Sequence, residues 1–139
     1  MKKTFVKIIA MALACALACM TLASCGVLFG PNADPDKAAK ALEDKGYEVT
    51  VMDDELSLGL VALSTGFEDL SSCLTATNKD DSDDTVSIFY FENEDAAETA
   101  WDSIEKYAEK AMEDDKDYVV KQSGKMIWMG TKKAINAAV

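Results

Sequence analysis

Three kinds of side-chain grouping in this 139-residue chain have types and spacings that chemistry uses. Ser103-Ile104-Glu105-Lys106 has the Ser-x-x-Lys spacing with which a lysine activates a serine nucleophile. That chemistry needs a Lys-Thr-Gly partner, and Gly130-Thr131-Lys132 runs in the reverse order. The plainer reading puts Ser103 and Lys106 on the polar face of a helix. Cys73 is a second nucleophile type, but the chain has no histidine, so no Cys-His thiolate pair can form. It reads as a buried structural thiol. The third grouping is acidic. Counted as a calcium loop from Asp81, the run through Glu92 puts Val86 where glycine is required, so the EF-hand is rejected. Asp80, Asp81, Asp83 and Asp84 are then a solvated hairpin tip or a loose divalent-cation site. A second acid group, Glu113, Asp114, Asp115 and Asp117, follows the longest helix pattern, where the macrodipole is negative. Lys110 and Lys116 compensate it in the plain reading, and a bound surface cation in the sharper one. No other cofactor is expected.

Composition narrows the chemistry further. All 14 basic residues are lysine, so the bidentate arginine clamp is missing along with histidine as base and metal ligand. The formal charge of −11 argues against nucleic acid, whose phosphates demand a cationic surplus. Charge is also uneven. Residues 25–117 hold seven lysines and all 25 acids, whereas 118–139 hold Lys121, Lys125, Lys132 and Lys133 and no acid.

The elements that must position these residues follow from period and caps. Asp34 and Pro35 open a first helix with Ala38, Ala39, Ala41 and Leu42 as its apolar stripe, ended by Gly46. Tyr47, Val49 and Val51 alternate as a half-buried strand. Leu56, Leu58, Leu60 and Leu63 fit a strand or a short helix equally, so 54–68 is left irregular. Residues 70–78 and 85–91 read as strands joined across the polar run 79–84. Asn93 caps the strongest helix, with Ala97, Ala100, Trp101, Ile104, Tyr107, Ala108, Ala111 and Met112 at helical spacing. Residues 118–122 and 126–130 flank a Ser123-Gly124 turn, and Thr131 caps a last helix. The expected class is α+β, a largely antiparallel sheet with helices packed on it in the order α-β-β-β-α-β-β-α. Ala38, Lys40, Ala41, Glu43 and Asp44 are echoed by Ala108, Lys110, Ala111, Glu113 and Asp114, each set leading into a Tyr-initiated strand. Ordinary helix formers explain this as readily as duplication does.

In the terminal hairpin, a Ser123-Gly124 turn puts Tyr118, Val120, Ile127 and Met129 on one face beneath the long helix. The opposite face carries Val119, Lys121, Met126 and Trp128, apolar side chains where a solvent-facing side should be polar. Two covers fit it. One is the C-terminal helix through Ile135, Ala138 and Val139; the other is a partner, or a second copy in a homo-oligomer, bound at Trp128, Met126, Lys121 and Val119.

The N-terminus speaks about address. Lys2, Lys3 and Lys7 precede an apolar run over 8–24, short for a permanent span. It ends in Leu22-Ala23-Ser24-Cys25-Gly26. This resembles the lipobox of bacterial prolipoproteins over the first 26 residues. The resemblance implies cleavage before Cys25, lipidation of that cysteine and placement on the extracytoplasmic face of a bacterial membrane. Two or more acyl chains anchor stably where one does not. On this reading 1–24 is a removed signal, 25–34 a lipidated tether, and 35–139 a single α+β domain. The mature chain then holds eleven lysines against 25 acids, a formal −14, which opposes lying flat on an anionic leaflet. With Cys25 acylated, Cys73 has no disulfide partner.

The expected role is a binding or scaffolding domain at the cell envelope, like the small bacterial lipoproteins, with an envelope protein or polymer as partner. The alternatives are an enzyme or accessory subunit acting on cell-wall or other envelope substrates, and a solute- or cation-binding module. An enzyme would gather shifted titrating groups in a pocket, whereas an interaction module would expose a flat apolar patch with a polar rim.

Overall fold

The computed structural model describes residues 30–139. Its elements are α1 (Pro35–Asp44), β1 (Tyr47–Met52), α2 (Glu55–Thr65), β2 (Leu70–Asn78), β3 (Asp81–Phe91), α3 (Glu94–Asp114), β4 (Tyr118–Ser123), β5 (Met126–Thr131) and α4 (Lys132–Ala137). The strands form one antiparallel sheet in the order β1-β2-β3-β5-β4. The class is α+β as expected, with one element added: 54–68 holds a helix.

Helices cover both faces of the sheet. On one face α1 and α4 bury Ala38, Leu42, Ala134, Ile135 and Ala138 against Leu74, Val86, Ile88 and Trp128. On the other, α3 and α2 enclose Phe67, Cys73, Phe89, Phe91, Ala97, Ala100 and Ile127. Phe67 meets Phe89 edge-on at 5.1 Å between ring centroids, closing that second core under the α2–β2 connection. The echoed units lead into β1 and β4, the two edge strands, from helices on opposite faces.

Local chemistry sets the element ends. Asp34 accepts the Asp36 amide at 3.0 Å, Asn93 the Ala96 amide at 2.8 Å, and Thr131 the Ala134 amide at 3.2 Å. Asp54 caps α2 through the Ser57 amide at 2.8 Å. Gly130 lets β5 lie close to β3, since a Cβ there would overlap the Thr85 carbonyl oxygen and come within 2.7 Å of the Val86 Cα.

The terminal hairpin corrects one expectation in detail. Its turn is Gly124-Lys125, with Ser123 paired to Met126 and Val120 to Met129. Gly124 takes φ +57° at the first central position, where a two-residue turn favours glycine. Moving the turn by one residue shifts every pairing by two positions, so each side chain keeps its assigned face. In α3, Tyr107 is 58% exposed rather than part of the buried stripe. The supposed tether is also partly docked. Asn32 donates its amide to the Ala138 carbonyl at 2.9 Å, and its own carbonyl accepts the Tyr90 hydroxyl at 2.9 Å. Gly30 lies against the Trp128 ring, where a Cβ would meet the indole at 3.0 Å.

Candidate docking surface

Helix α2 is apolar on two sides. Leu58 and Val61 pack toward Phe67, Cys73 and Phe89, and no residue of the helix is fully buried. Leu56, Leu60 and Leu63 point outward at 77%, 62% and 85% exposure. With Gly59 they occupy positions i, i+3, i+4 and i+7, one continuous stripe along the helix. Residues 56–67 carry no charge at all, while Asp53, Asp54 and Glu55 at one end and Glu68 and Asp69 at the other are exposed acids. No lysine lies between Lys45 and Lys79. The result is an uncharged apolar surface with an acidic rim.

Gly59 is not explained by the fold. A Cβ there would have nothing within 4 Å, and glycine in a helix interior costs about 1 kcal/mol relative to alanine. What it does is keep the middle of the stripe low between Leu56 and Leu63.

Two titrating groups with shifted behaviour, Asp84 and Tyr47, meet away from α2. This carboxylate is 4% exposed and accepts from the Tyr47 hydroxyl at 2.6 Å, the Asn78 side-chain amide at 3.0 Å and the Thr131 hydroxyl. Lys133 lies 3.6 Å away. Burial pushes its carboxyl up, but the hydrogen bonds from Thr131, Tyr47 and Asn78 and the Lys133 charge outweigh burial and hold it below the ordinary carboxylate range. Burial, then the bond to Asp84, raise the Tyr47 phenol. The Thr131 hydroxyl donates to Asp84 while accepting from the Ala134 amide, so the carboxylate ties β1, β2, β3 and the start of α4 together. These partners satisfy one another; the cluster is a structural clasp.

The residues singled out from sequence fall as follows. Cys25 lies outside the described residues. Trp128 is 3% exposed and Met126 9%, both within the core formed with α1 and α4. The apolar face of the hairpin is thus covered by the C-terminal helix, one of the two covers that the sequence allowed, and by the docked N-terminal segment. Val119 is half-buried against the same core, and Lys121 is exposed beside it. Burial pushes the Cys73 thiol up to about 11. Ser103 donates its hydroxyl to the Thr99 carbonyl at 3.4 Å on the exposed side of α3. Glu113, Asp114, Asp115 and Asp117 are exposed, with Asp115 accepting the Asp117 amide at 2.9 Å. Among the described residues, no three potential metal-ligating side chains converge. A cleft between the α2–β2 connection and the start of α3 is lined by Glu68, Asp69, Asn93, Asp95, Thr99 and Ser103.

Sequence reasoning missed the α2 stripe. Its one visible signal was Asp54-Glu55 before an apolar run closed by Gly66, a cap at each end of a helix. Among the described residues no helix is long and apolar enough to cross a membrane. Comparison with protein-family models, curated proteins and solved structures gives no match.

Proposed function

We propose that this chain is a lipid-anchored binding domain of the bacterial cell envelope, held by acyl chains on Cys25 and engaging a protein partner through the outer face of α2. The observation that carries the binding role is the stripe of Leu56, Gly59, Leu60 and Leu63, exposed and flanked in the chain by exposed acids. Adjacent exposed leucines on one helix cost hydration that the fold does not recover, and a contiguous apolar patch with a polar rim marks an interaction site. The Asp84 cluster supports the same view from the other side, because its shifted groups are consumed by mutual hydrogen bonds. The anchor rests on the complete Leu22-Ala23-Ser24-Cys25-Gly26 box.

Intact mass of the membrane-extracted protein tests the anchor. The expected result is loss of residues 1–24 and gain of acyl mass on Cys25, with Cys25→Ala failing to be processed. A mature chain that starts elsewhere and carries no lipid defeats it.

A further inference from the structure

The α2 stripe has three conceivable occupants: the bilayer, a second copy of this chain, or another protein. The position of the anchor bears on the first. Only four residues separate Cys25 from Gly30, five chain steps with a reach of at most about 17 Å. Gly30 ends on the Trp128 ring, in the core between the sheet and α1 with α4. Helix α2 packs on the opposite face, beside Phe67 and Cys73. The sheet and one packing layer of about 10 Å lie between Gly30 and α2. The short connection keeps the Gly30 side close to the membrane, and the exposed acids that flank α2 in the chain oppose its lying on an anionic leaflet.

Charge decides between the remaining two. Both ends of the stripe are acidic, through Asp53, Asp54 and Glu55 and through Glu68 and Asp69. A second copy brings the same acids to the same seam, within a mature chain of formal charge −14. Like charges facing across an interface cost several kcal/mol and suppress that pairing. Lysine or arginine at both ends of an incoming segment turns the same rim into attraction. Shape specifies the segment. Outward residues at i, i+3, i+4 and i+7 form the seam that a second helix packs along, and Gly59 between Leu56 and Leu63 admits its backbone closely. The middle of the stripe is uncharged, so nothing there must be desolvated unpaired.

We propose that α2 is the seat of a cationic amphipathic helix, about three turns long, belonging to an envelope protein. This rests on the reading of α2 as a docking face and of Cys25 as the anchor. Attraction then comes from leucine contacts along the seam, and orientation from basic residues at the two acidic ends.

The test has two arms, both on the mature full-length chain in phosphatidylcholine nanodiscs or native membranes. In the first, a photocrosslinking side chain replaces Leu60 in native membranes, with Lys37 as the control position. An adduct specific to position 60 supports docking through α2 whatever the partner's chemistry; none overturns both the docking reading and this proposal. In the second, a synthetic 14-residue helix with a leucine stripe and two lysines at each end is titrated in nanodiscs, beside the same peptide ended in glutamates. The lysine peptide should bind at least tenfold more tightly, lose affinity as salt rises, and lose at least tenfold on Leu60→Ser. Gly59→Ala, which the free domain accommodates, should weaken binding while the melting temperature rises. Equal affinity for the two peptides overturns the partner's chemistry while a position-60 adduct leaves docking standing. Sedimentation showing a dimer that Leu60→Ser dissolves assigns the stripe to a second copy. Quenching of a fluorophore on Leu60→Cys by doxyl-labelled lipid assigns it to the bilayer. Either result overturns the proposal.

Discussion

Asp84 shows how one carboxylate among many acquires a separate role. In sequence it closes a run of acids that looks like a solvated tip, but β3 begins at Asp81, four residues before the expected strand. Asp84 lies two residues before Val86 and shares its inward parity, a signal present in the alternation 84, 86, 88, 90. What hid it is a break in register: Thr77 pairs with Thr85, while Asn78 pairs with Asp81. Three residues of β3 are therefore looped out there, and Asp84 turns inward to Tyr47, Asn78 and Thr131. Replacing it with alanine strands three donors and should cost on the order of 3 kcal/mol in urea unfolding. The sign of its pH dependence follows from its lowered carboxyl. Its contribution is complete above the unfolded value near pH 4 and is lost as pH falls toward the folded value. Asp84→Asn should lower stability at neutral pH and flatten the fall in stability below about pH 4. An acid limb as steep as that of the parent would show that other carboxylates carry it.

The terminal hairpin and α2 mark the reach of pattern reading at the scale of elements. The hairpin was legible to its faces, because side-chain parity survives a two-position change in pairing. What covered the Trp128 face was not legible from the strand itself; it depends on α4 returning over the sheet and on Gly30 meeting the indole. With both in place, Trp128→Ala should cost about 3–5 kcal/mol in unfolding free energy and leave self-association unchanged. Unchanged stability with altered association would favour the partner, the other of the two covers that the sequence allowed. Helix α2 resisted reading for the opposite reason. Its leucines at 56, 58 and 60 alternate like a strand, and those at 60 and 63 step like a helix, because both its inner and outer sides are apolar. An amphipathic helix announces itself by a polar face, and this one has none. The feature that made the segment unreadable is the feature on which the proposed docking surface rests.

At the scale of the whole molecule, the sheet lies between the two surfaces to which anchoring and docking are proposed. One face carries α1, α4 and the docked segment at Gly30, next to the proposed anchor; the other carries α3 and the open side of α2. Charge is distributed on a different plan, with an excess of acids through residue 117 and four lysines after it. Lys133 is spent on Asp84 at 3.6 Å, and Lys45 donates to the Ala137 carbonyl at 3.4 Å, so two cations are already committed to closing the fold. The surplus acids repel one another across a domain no wider than a few screening lengths. Raising salt from about 0.01 M to 0.1 M shortens the screening length from about 30 Å to about 10 Å, which weakens exposed repulsions more than the buried contacts around Asp84. The melting temperature of the mature protein should therefore rise by several degrees over that range, measured by scanning calorimetry. Binding of a basic helix at α2 should move the opposite way, weakening with the same salt, because there the acids attract. Opposite salt responses of stability and docking would separate the cost of the acidic surface from its use; a melting temperature that falls with salt would mean that attractive pairs dominate the fold.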